Sequence, residues 1–183
     1  MVIKAFKQML TDIVGQNFLN KYCKLYTECY KDLLQNFKVK THEKMDKSST
    51  LEMITLKISP TFSMEYEKEH GTDISSRTRG TKYAKTLTWF GDKVRIKKDL
   101  FDNFFKPSCD KIIDHIRKIF DDPNLNRTTK INIILVGSFS KKVIVHMAIR
   151  SAFPQCRVLI PEDAGQAVLK GAVLLGYDGS KPC

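Results

Sequence analysis

"INIILVGSFSKKVIVHMAIRSAF", residues 131–153, contains the most informative pattern in this sequence. A run of apolar residues stops at Gly137, the chain turns through Ser138, Phe139 and Ser140, and an amphipathic segment follows from about residue 141. Apolar residues in succession are typical of a strand that is buried on both faces. A strand, a glycine turn and a helix N-terminus together form a geometry that binds phosphate or a nucleotide. The stretch therefore predicts a β-turn-α unit with a candidate ligand site at the turn.

The residues that follow repeat this pattern. We expect a second strand over residues 157–160 and a second helix over about residues 164–175, so that the order is βαβα. Strands joined through a helix in this way lie parallel, with a right-handed crossover. The last third of the chain is therefore predicted to be α/β.

The chain before about residue 126 has a different character. Apolar residues at helical spacing predict helices over residues 2–19 and about 20–37, and a third over 100–120 that Pro107 should kink or split. Alternating residues predict a strand within residues 51–59 and a hairpin in "KTLTWFGDKVRI", residues 85–96. Ser59, Pro60 and Gly71 delimit a short helix over residues 60–70. This part is predicted to be α+β.

The chain of 183 residues is strongly basic, with a net charge of +11 and a pI near 9.4. Excess positive charge suggests anionic partners. However, the longest basic runs are only pairs, at residues 97–98 and 141–142, and no arginine-rich block accompanies them. We therefore expect a solvated basic surface rather than a dedicated face for nucleic acid.

Cysteine usage and hydropathy indicate the compartment. The five cysteines are odd in number and scattered, without C-x-x-C spacing, so neither a disulfide framework nor a zinc site is predicted. No apolar run reaches 18 residues, and the first residues lack the apolar region of a signal peptide. We expect a cytoplasmic protein with free thiols and no membrane partner.

Residues 134–176, "ILVGSFSKKVIVHMAIRSAFPQCRVLIPEDAGQAVLKGAVLLG", resemble the end of the ATPase domain of the 70-kDa heat-shock protein superfamily. Within it, the sequence is most similar to the divergent heat shock 70 kDa protein 12A/12B branch. Three earlier blocks resemble the same branch in the same order: "AFKQMLTDIVG", "KISPTFSMEYEKEHG" and "FGDKVRIKKDLFDNFFKPSCDKIIDHIRKIF". The resemblance therefore covers nearly the whole chain.

The resemblance implies a fragment of the actin-like ATPase fold, which has two lobes that each contain an inner and an outer subdomain. Residues 1–18 would be a helix of the inner subdomain of lobe II, and residues 19–126 its outer α+β subdomain. Residues 127–183 would be the βαβα C-terminal part of the inner subdomain.

The resemblance also implies a ligand. The family contacts adenosine at a Gly-Gly turn, which corresponds here to Gly137 and Ser138, with Phe139 and Ser140 completing the turn. Glycine allows close backbone approach, so ATP or ADP is the implied ligand. Two departures predict weak binding. Ser138 in a left-handed conformation would cost about 1 kcal/mol or more, although its hydroxyl could instead cap the next helix, which would make the substitution structural only. Two lysines in the first helical turn oppose the helix dipole unless a phosphate lies beside them.

The sequence contains no recognisable catalytic apparatus. The family holds the β- and γ-phosphates with two glycine-rich hairpins, each bearing an Asp, and neither hairpin occurs in this sequence. No Walker motif replaces them. No catalytic carboxylate pair or Ser/His/Asp set stands out, and the four histidines are isolated. We therefore predict no catalytic residues, no metal ligands and no hydrolysis by this chain alone.

Three functional hypotheses remain open. The first is an ATPase-domain fragment with residual adenine-nucleotide binding. The second is a protein-interaction module or regulatory short form without nucleotide binding, with the outer subdomain as the surface for a partner. Two strands rarely hold a stable sheet without covering, so the strand at residues 131–136 should expose an edge and apolar faces, which a protein partner or the missing lobe would cover. The third is a basic polyanion-binding protein.

Overall fold

A computed structural model describes residues 2–42, 52–123 and 131–177. The chain divides into two compact units, Met1–Ser108 and Cys109–Cys183. Both units contain helices and strands, which confirms the predicted mixed α/β (α+β) class. The assignment of residues 1–18, 19–126 and 127–183 to particular subdomains of the actin-like fold stays a prediction.

The helices and strands follow one another in a simple order. The first unit contains α1 (Val2–Val14), α2 (Gln16–Leu25), α3 (Thr27–His42), β1 (Met53–Lys57), α4 (Pro60–His70), α5 (Ile74–Arg79), β2 (Leu87–Phe90), β3 (Lys93–Lys97) and α6 (Lys98–Asn103). Helix α7 (Lys106–Phe120) begins in the first unit and runs into the second. The second unit continues with β4 (Asn132–Ile134), a 3₁₀ helix (Ser138–Lys141), α8 (Val143–Ala152), β5 (Arg157–Leu159) and α9 (Ala167–Tyr177).

The first two predicted helices are three helices in the structure. Gly15, at φ 83°, ends α1 and precedes α2, because glycine adopts positive φ without steric cost. Tyr26 leaves the helical region at φ −123° and ψ 50°. Beside it, the Thr27 hydroxyl donates to the carbonyl of Cys23 at 2.9 Å and so competes with the helical ladder.

The local stop and start signals are confirmed. Ser59 accepts a hydrogen bond from the backbone N–H of Thr61, and Gly71 ends α4 in the left-handed conformation. The predicted helix over residues 100–120 splits into α6 and α7, with Pro107 in the first turn of α7, where its missing N–H costs nothing.

Strands β1, β3 and β2 form an antiparallel sheet in that order. The predicted hairpin is confirmed, with Gly91 at φ 56° at its tip. One face of this sheet is buried and carries Ile54, Leu56, Leu87, Trp89, Val94 and Ile96. Aromatic residues fill the core of this unit: the rings of Phe6 and Phe37 stack with centroids 4.1 Å apart.

Strands β4 and β5 of the second unit pair parallel, as predicted. However, β4 is shorter than residues 131–136. An apolar run of this kind is typical of a strand buried on both faces, but in this chain the strand exposes apolar side chains, as expected for two strands without covering. Ile134 is 60% exposed and Val136 47% exposed. The described part of the chain also contains no helix that is long and apolar enough to cross a membrane.

Candidate functional site

The predicted turn lies between β4 and α8, and its first residue has a conformation that favours glycine. Gly137 has φ 87° and ψ 170°. A Cβ added there would meet no atom within 4 Å, so the space beside its Cα is open. The backbone conformation, not crowding, therefore demands glycine, and the open space leaves the backbone accessible to a ligand.

The turn is hydrogen-bonded to the loop that precedes α9. The backbone N–H of Leu135 donates to the carbonyl of Leu159 at 2.9 Å, and that of Gly137 donates to the carbonyl of Ala164 at 2.6 Å. Ala164 is fully buried. These bonds extend the connection between the two chain segments beyond the short β4–β5 ladder, and they fix the position of Gly137.

Ser140 forms two hydrogen bonds within the turn. Its backbone N–H donates to the carbonyl of Gly137 at 3.1 Å, and its hydroxyl donates to the same carbonyl at 2.6 Å. Ser140 is buried, with 4% of its surface exposed. The structure therefore brings two of the four predicted site residues, Gly137 and Ser140, into direct contact, and the Ser140 hydroxyl is engaged in shaping the turn.

The chain does not pass directly from the turn into an α-helix. Residues Ser138–Lys141 form a 3₁₀ helix, and α8 begins only at Val143, two residues later than expected. A serine hydroxyl bonded to the carbonyl three residues back favours this tighter winding. No described residue other than glycine has positive φ, so Ser138 does not carry the left-handed strain that was considered for it.

His146 was not predicted to be near the site. One of its ring nitrogens, Nε2, forms a short hydrogen bond with the backbone carbonyl of Ser140. The side chain of His146, which lies in the first part of α8, therefore stabilises the turn through this hydrogen bond. No sequence signal identified this contact, since the histidine stands alone within an apolar helical pattern.

The electrostatics of the turn favour an anion. Lys142 is half-buried directly before α8, and burial lowers the pKa of its ammonium group. The first turn of α8 contains no acidic residue. A nearby phosphate would stabilise the charged form of Lys142 and would also interact favourably with the helix N-terminus.

The described residues do not form a metal or disulfide site. Within residues 2–42, 52–123 and 131–177, no group of three His, Cys, Asp or Glu side chains is placed to hold a metal ion. Four cysteines in these ranges take part in no disulfide: Cys23, Cys29, Cys109 and Cys156. Cys183 lies outside the described residues.

A second feature of this unit is its exposed apolar surface. The large apolar residues of α9 are each 60–68% exposed: Val168, Leu169, Val173, Leu174 and Leu175. Ile134 and Val136 at β4 and Met147 on α8 are also exposed. A helix that is apolar and uncovered is typical of a surface that packs against another polypeptide.

The chain has recognisable relatives among known proteins. It is 31% identical to human heat shock 70 kDa protein 12A and 30% identical to the mouse protein of that name. It is 26% identical to human heat shock 70 kDa protein 12B. Each match covers 175 residues, or 94% of the chain, but only 25% of the relative. The chain thus spans about a quarter of the length of these relatives, and no protein-family model or solved structure matches it.

Proposed function

We propose, on the premise that this chain is a homologue of part of heat shock 70 kDa proteins 12A and 12B, that it binds ATP or ADP weakly at the Gly137 turn. It would not hydrolyse either nucleotide by itself. The proposal takes its ligand from the resemblance of residues 134–176 to the adenosine-contacting end of an actin-like ATPase domain.

The open backbone at Gly137 is the observation that carries this proposal. Gly137 has a φ of 87°, and a Cβ added to it would have no atom within 4 Å. Its backbone is therefore open to contact by the adenine ring. The hydrogen bonds to Ala164 and from Ser140 hold that backbone in place before any ligand arrives. A preformed site loses less entropy on binding than a flexible loop does.

Weak and non-selective binding follows from the groups around the turn. Lys142 supplies a cation for one phosphate group, but the sequence has no glycine-rich phosphate hairpin. The γ-phosphate would therefore add little, and ATP and ADP should bind about equally. Adenosine without phosphate should still compete for the site.

The test is a calorimetric titration of the full chain with ATP, ADP and adenosine. We expect dissociation constants for ATP and ADP within about threefold of each other, and at least tenfold weaker binding to Gly137→Val. The matched control is Gly71→Val, which places the same side chain at another open glycine of positive φ, 65°. Absence of binding, or equal loss of binding in both variants, would overturn the proposal.

The exposed apolar residues of α9 favour a second candidate function, a protein-interaction module. Its partner would be a polypeptide that covers α9 and the free edge of the β4–β5 sheet. The probe is the remaining three quarters of human heat shock 70 kDa protein 12A, titrated against this chain by sedimentation. Binding that is abolished by Leu169→Asp and retained by Met64→Asp, an equally exposed residue on α4, would support this function. No association at concentrations of about 100 µM, where weak complexes form, would argue against it.

A further inference from the structure

The three-stranded sheet of the first unit has a second face that points away from the core. Because side chains alternate along a strand, the residues between the buried ones share this face. We call it the outer face of the sheet, and it consists of Met53, Thr55, Lys57, Thr88, Phe90, Lys93, Arg95 and Lys97. Four of these residues are cations and none is an acid.

The register of the strands brings two of these cations together. Lys57 on β1 lies directly opposite Lys93 on β3. Like charges in that position destabilise a sheet. An anion bound between the two ammonium groups would turn this repulsion into attraction, so the pair is a natural position for a phosphate group.

The remaining cations continue along β3. Lys93, Arg95 and Lys97 alternate with buried residues, so neighbouring cations are about 7 Å apart along the strand. Arg95 lies between the hydroxyl-bearing residues Thr55 and Thr88 of the flanking strands. The outer face therefore presents a row of cations with hydrogen-bonding groups beside it.

The protein itself hardly neutralises this charge. Within the described ranges, the contact of these four cations with a carboxylate is the one between Lys93 and Asp92, whose atoms are 4.0 Å apart and exposed. An exposed pair at that distance is worth little. The other three cations have no carboxylate partner among the described residues, which leaves them available to an external anion.

An exposed aromatic ring completes the face. Phe90 is 67% exposed at the end of β2, in register with Lys93. The guanidinium group of Arg95 lies 5.8 Å from the centroid of its ring. An exposed ring beside arginine on a sheet is a surface on which a nucleic-acid base stacks.

We propose that the outer face of the sheet binds single-stranded nucleic acid. Its phosphates would contact Lys57, Lys93, Arg95 and Lys97, and one base would stack on Phe90. An acidic peptide would supply negative charge without a planar ring. A membrane surface would call for several apolar side chains to insert, whereas Phe90 is the one exposed large apolar side chain on this face.

This inference departs from the expectation of no dedicated nucleic-acid face. That expectation rested on contiguous basic runs, and a strand never produces them on one face, because every second residue points inward. The cations of the outer face come from two strands that are aligned only by the sheet, since 35 residues separate Lys57 at the end of β1 from Lys93 at the start of β3.

The test is fluorescence anisotropy of a labelled 12-residue deoxythymidine strand with the full chain, between 25 and 200 mM salt. Four phosphate contacts predict a slope of log affinity against log salt of about −3, at about −0.7 for each contact on a single strand. Lys57→Gln with Lys93→Gln should halve that slope. The matched control, Lys68→Gln with Lys111→Gln, has the same net charge and alters exposed helical positions, and it should keep the slope.

The variant Phe90→Ala tests whether the outer face recognises nucleic-acid bases or merely binds any polyanion. We expect about tenfold weaker binding of the deoxythymidine strand, in the range measured for loss of one stacked base. An abasic strand of equal charge should not respond to this substitution. Thermal unfolding followed by the fluorescence of Trp89 confirms that each variant is folded, and Gly137→Val should leave strand binding unchanged.

Three results would overturn the proposal. The first is no binding at 25 mM salt. The second is an equal loss of affinity in the control double variant, which would make the binding a property of total charge. The third is binding of poly-glutamate or phosphatidylserine vesicles as tight as that of the strand, together with insensitivity to Phe90→Ala.

Discussion

The backbone N–H of Gly137 donates a hydrogen bond to the carbonyl oxygen of Ala164, with the two atoms 2.6 Å apart. The bond joins the turn after β4 to the loop before α9 and so fixes the residue on which the proposed adenosine contact depends. It leaves the other side of Gly137 open. The backbone of Gly137 is therefore held by hydrogen bonds on one side and is open to a ligand on the other.

Ser138→Gly should destabilise the protein slightly, although it restores the second glycine of the family turn. Ser138 lies in the 3₁₀ helix without positive φ, so glycine would relieve no strain and would only add entropy to the unfolded chain. We expect a loss of about 0.5–1 kcal/mol in the free energy of unfolding, measured by urea denaturation. Stabilisation by this change would mean that the turn does carry strain at residue 138.

Ser140→Ala should weaken both the turn and the proposed binding of nucleotide. The substitution removes the hydroxyl that donates to the carbonyl of Gly137 at 2.6 Å. We expect a loss of about 1 kcal/mol in unfolding free energy and a lower affinity for adenosine. Ser151→Ala, at an exposed position in the following helix α8, is the control and should change neither quantity.

Thr78→Val should destabilise the first unit more than any of the changes above. The hydroxyl of Thr78 accepts a hydrogen bond from Nε1 of Trp89 at 2.8 Å, and both residues are buried. Valine would leave the indole N–H without a partner, at a cost of about 1–3 kcal/mol. Trp89 is the one tryptophan of the chain, so its fluorescence follows the transition directly. Thr88→Val, at the exposed neighbouring position of β2, should change stability by less than about 0.5 kcal/mol.

Asp12 should give the first unit a dependence of stability on acid pH. Burial by itself would raise the pKa of Asp12, but hydrogen bonds from Gln8, Lys82 and Tyr83 outweigh it and hold the pKa below its ordinary value of 3.8. Because the folded pKa is the lower one, this stabilisation is fully present above pH 3.8 and is lost as the pH falls through the folded value.

The corresponding variant is Asp12→Asn. It should reduce unfolding free energy by about 1 kcal/mol at pH 7 and approach the unmodified protein in stability as the pH falls below 3.8, measured by urea denaturation at both pH values. Asp32→Asn, at an exposed site on α3, is the control, and its unfolding free energy should vary with pH in the same way as that of the unmodified protein. A constant difference between Asp12→Asn and the unmodified protein at all pH values would contradict the assignment.

Local sequence signals were enough for much of the architecture. Gly71, Gly91 and Pro107 mark a helix end, a hairpin tip and a helix start where they were expected, because each residue constrains its own φ whatever surrounds it. Gly137 was recognised as the key residue of the turn for the same reason. The helix break at Tyr26 was missed, since helical spacing of apolar residues continues across it.

The class of fold, the order of its elements, the glycine turn and the resemblance to heat shock 70 kDa protein 12A and 12B could all be predicted from the sequence, because backbone preference and hydrophobic period are local properties. Three relationships could be found only in the folded chain: Gly137 bonds to Ala164, His146 bonds to Ser140, and Lys57 lies opposite Lys93. The last of these depends on strand register, which is set by packing of the buried face between distant segments. A pattern read along one segment contains no information about its partner, so the charged outer face emerged only when the strands were aligned.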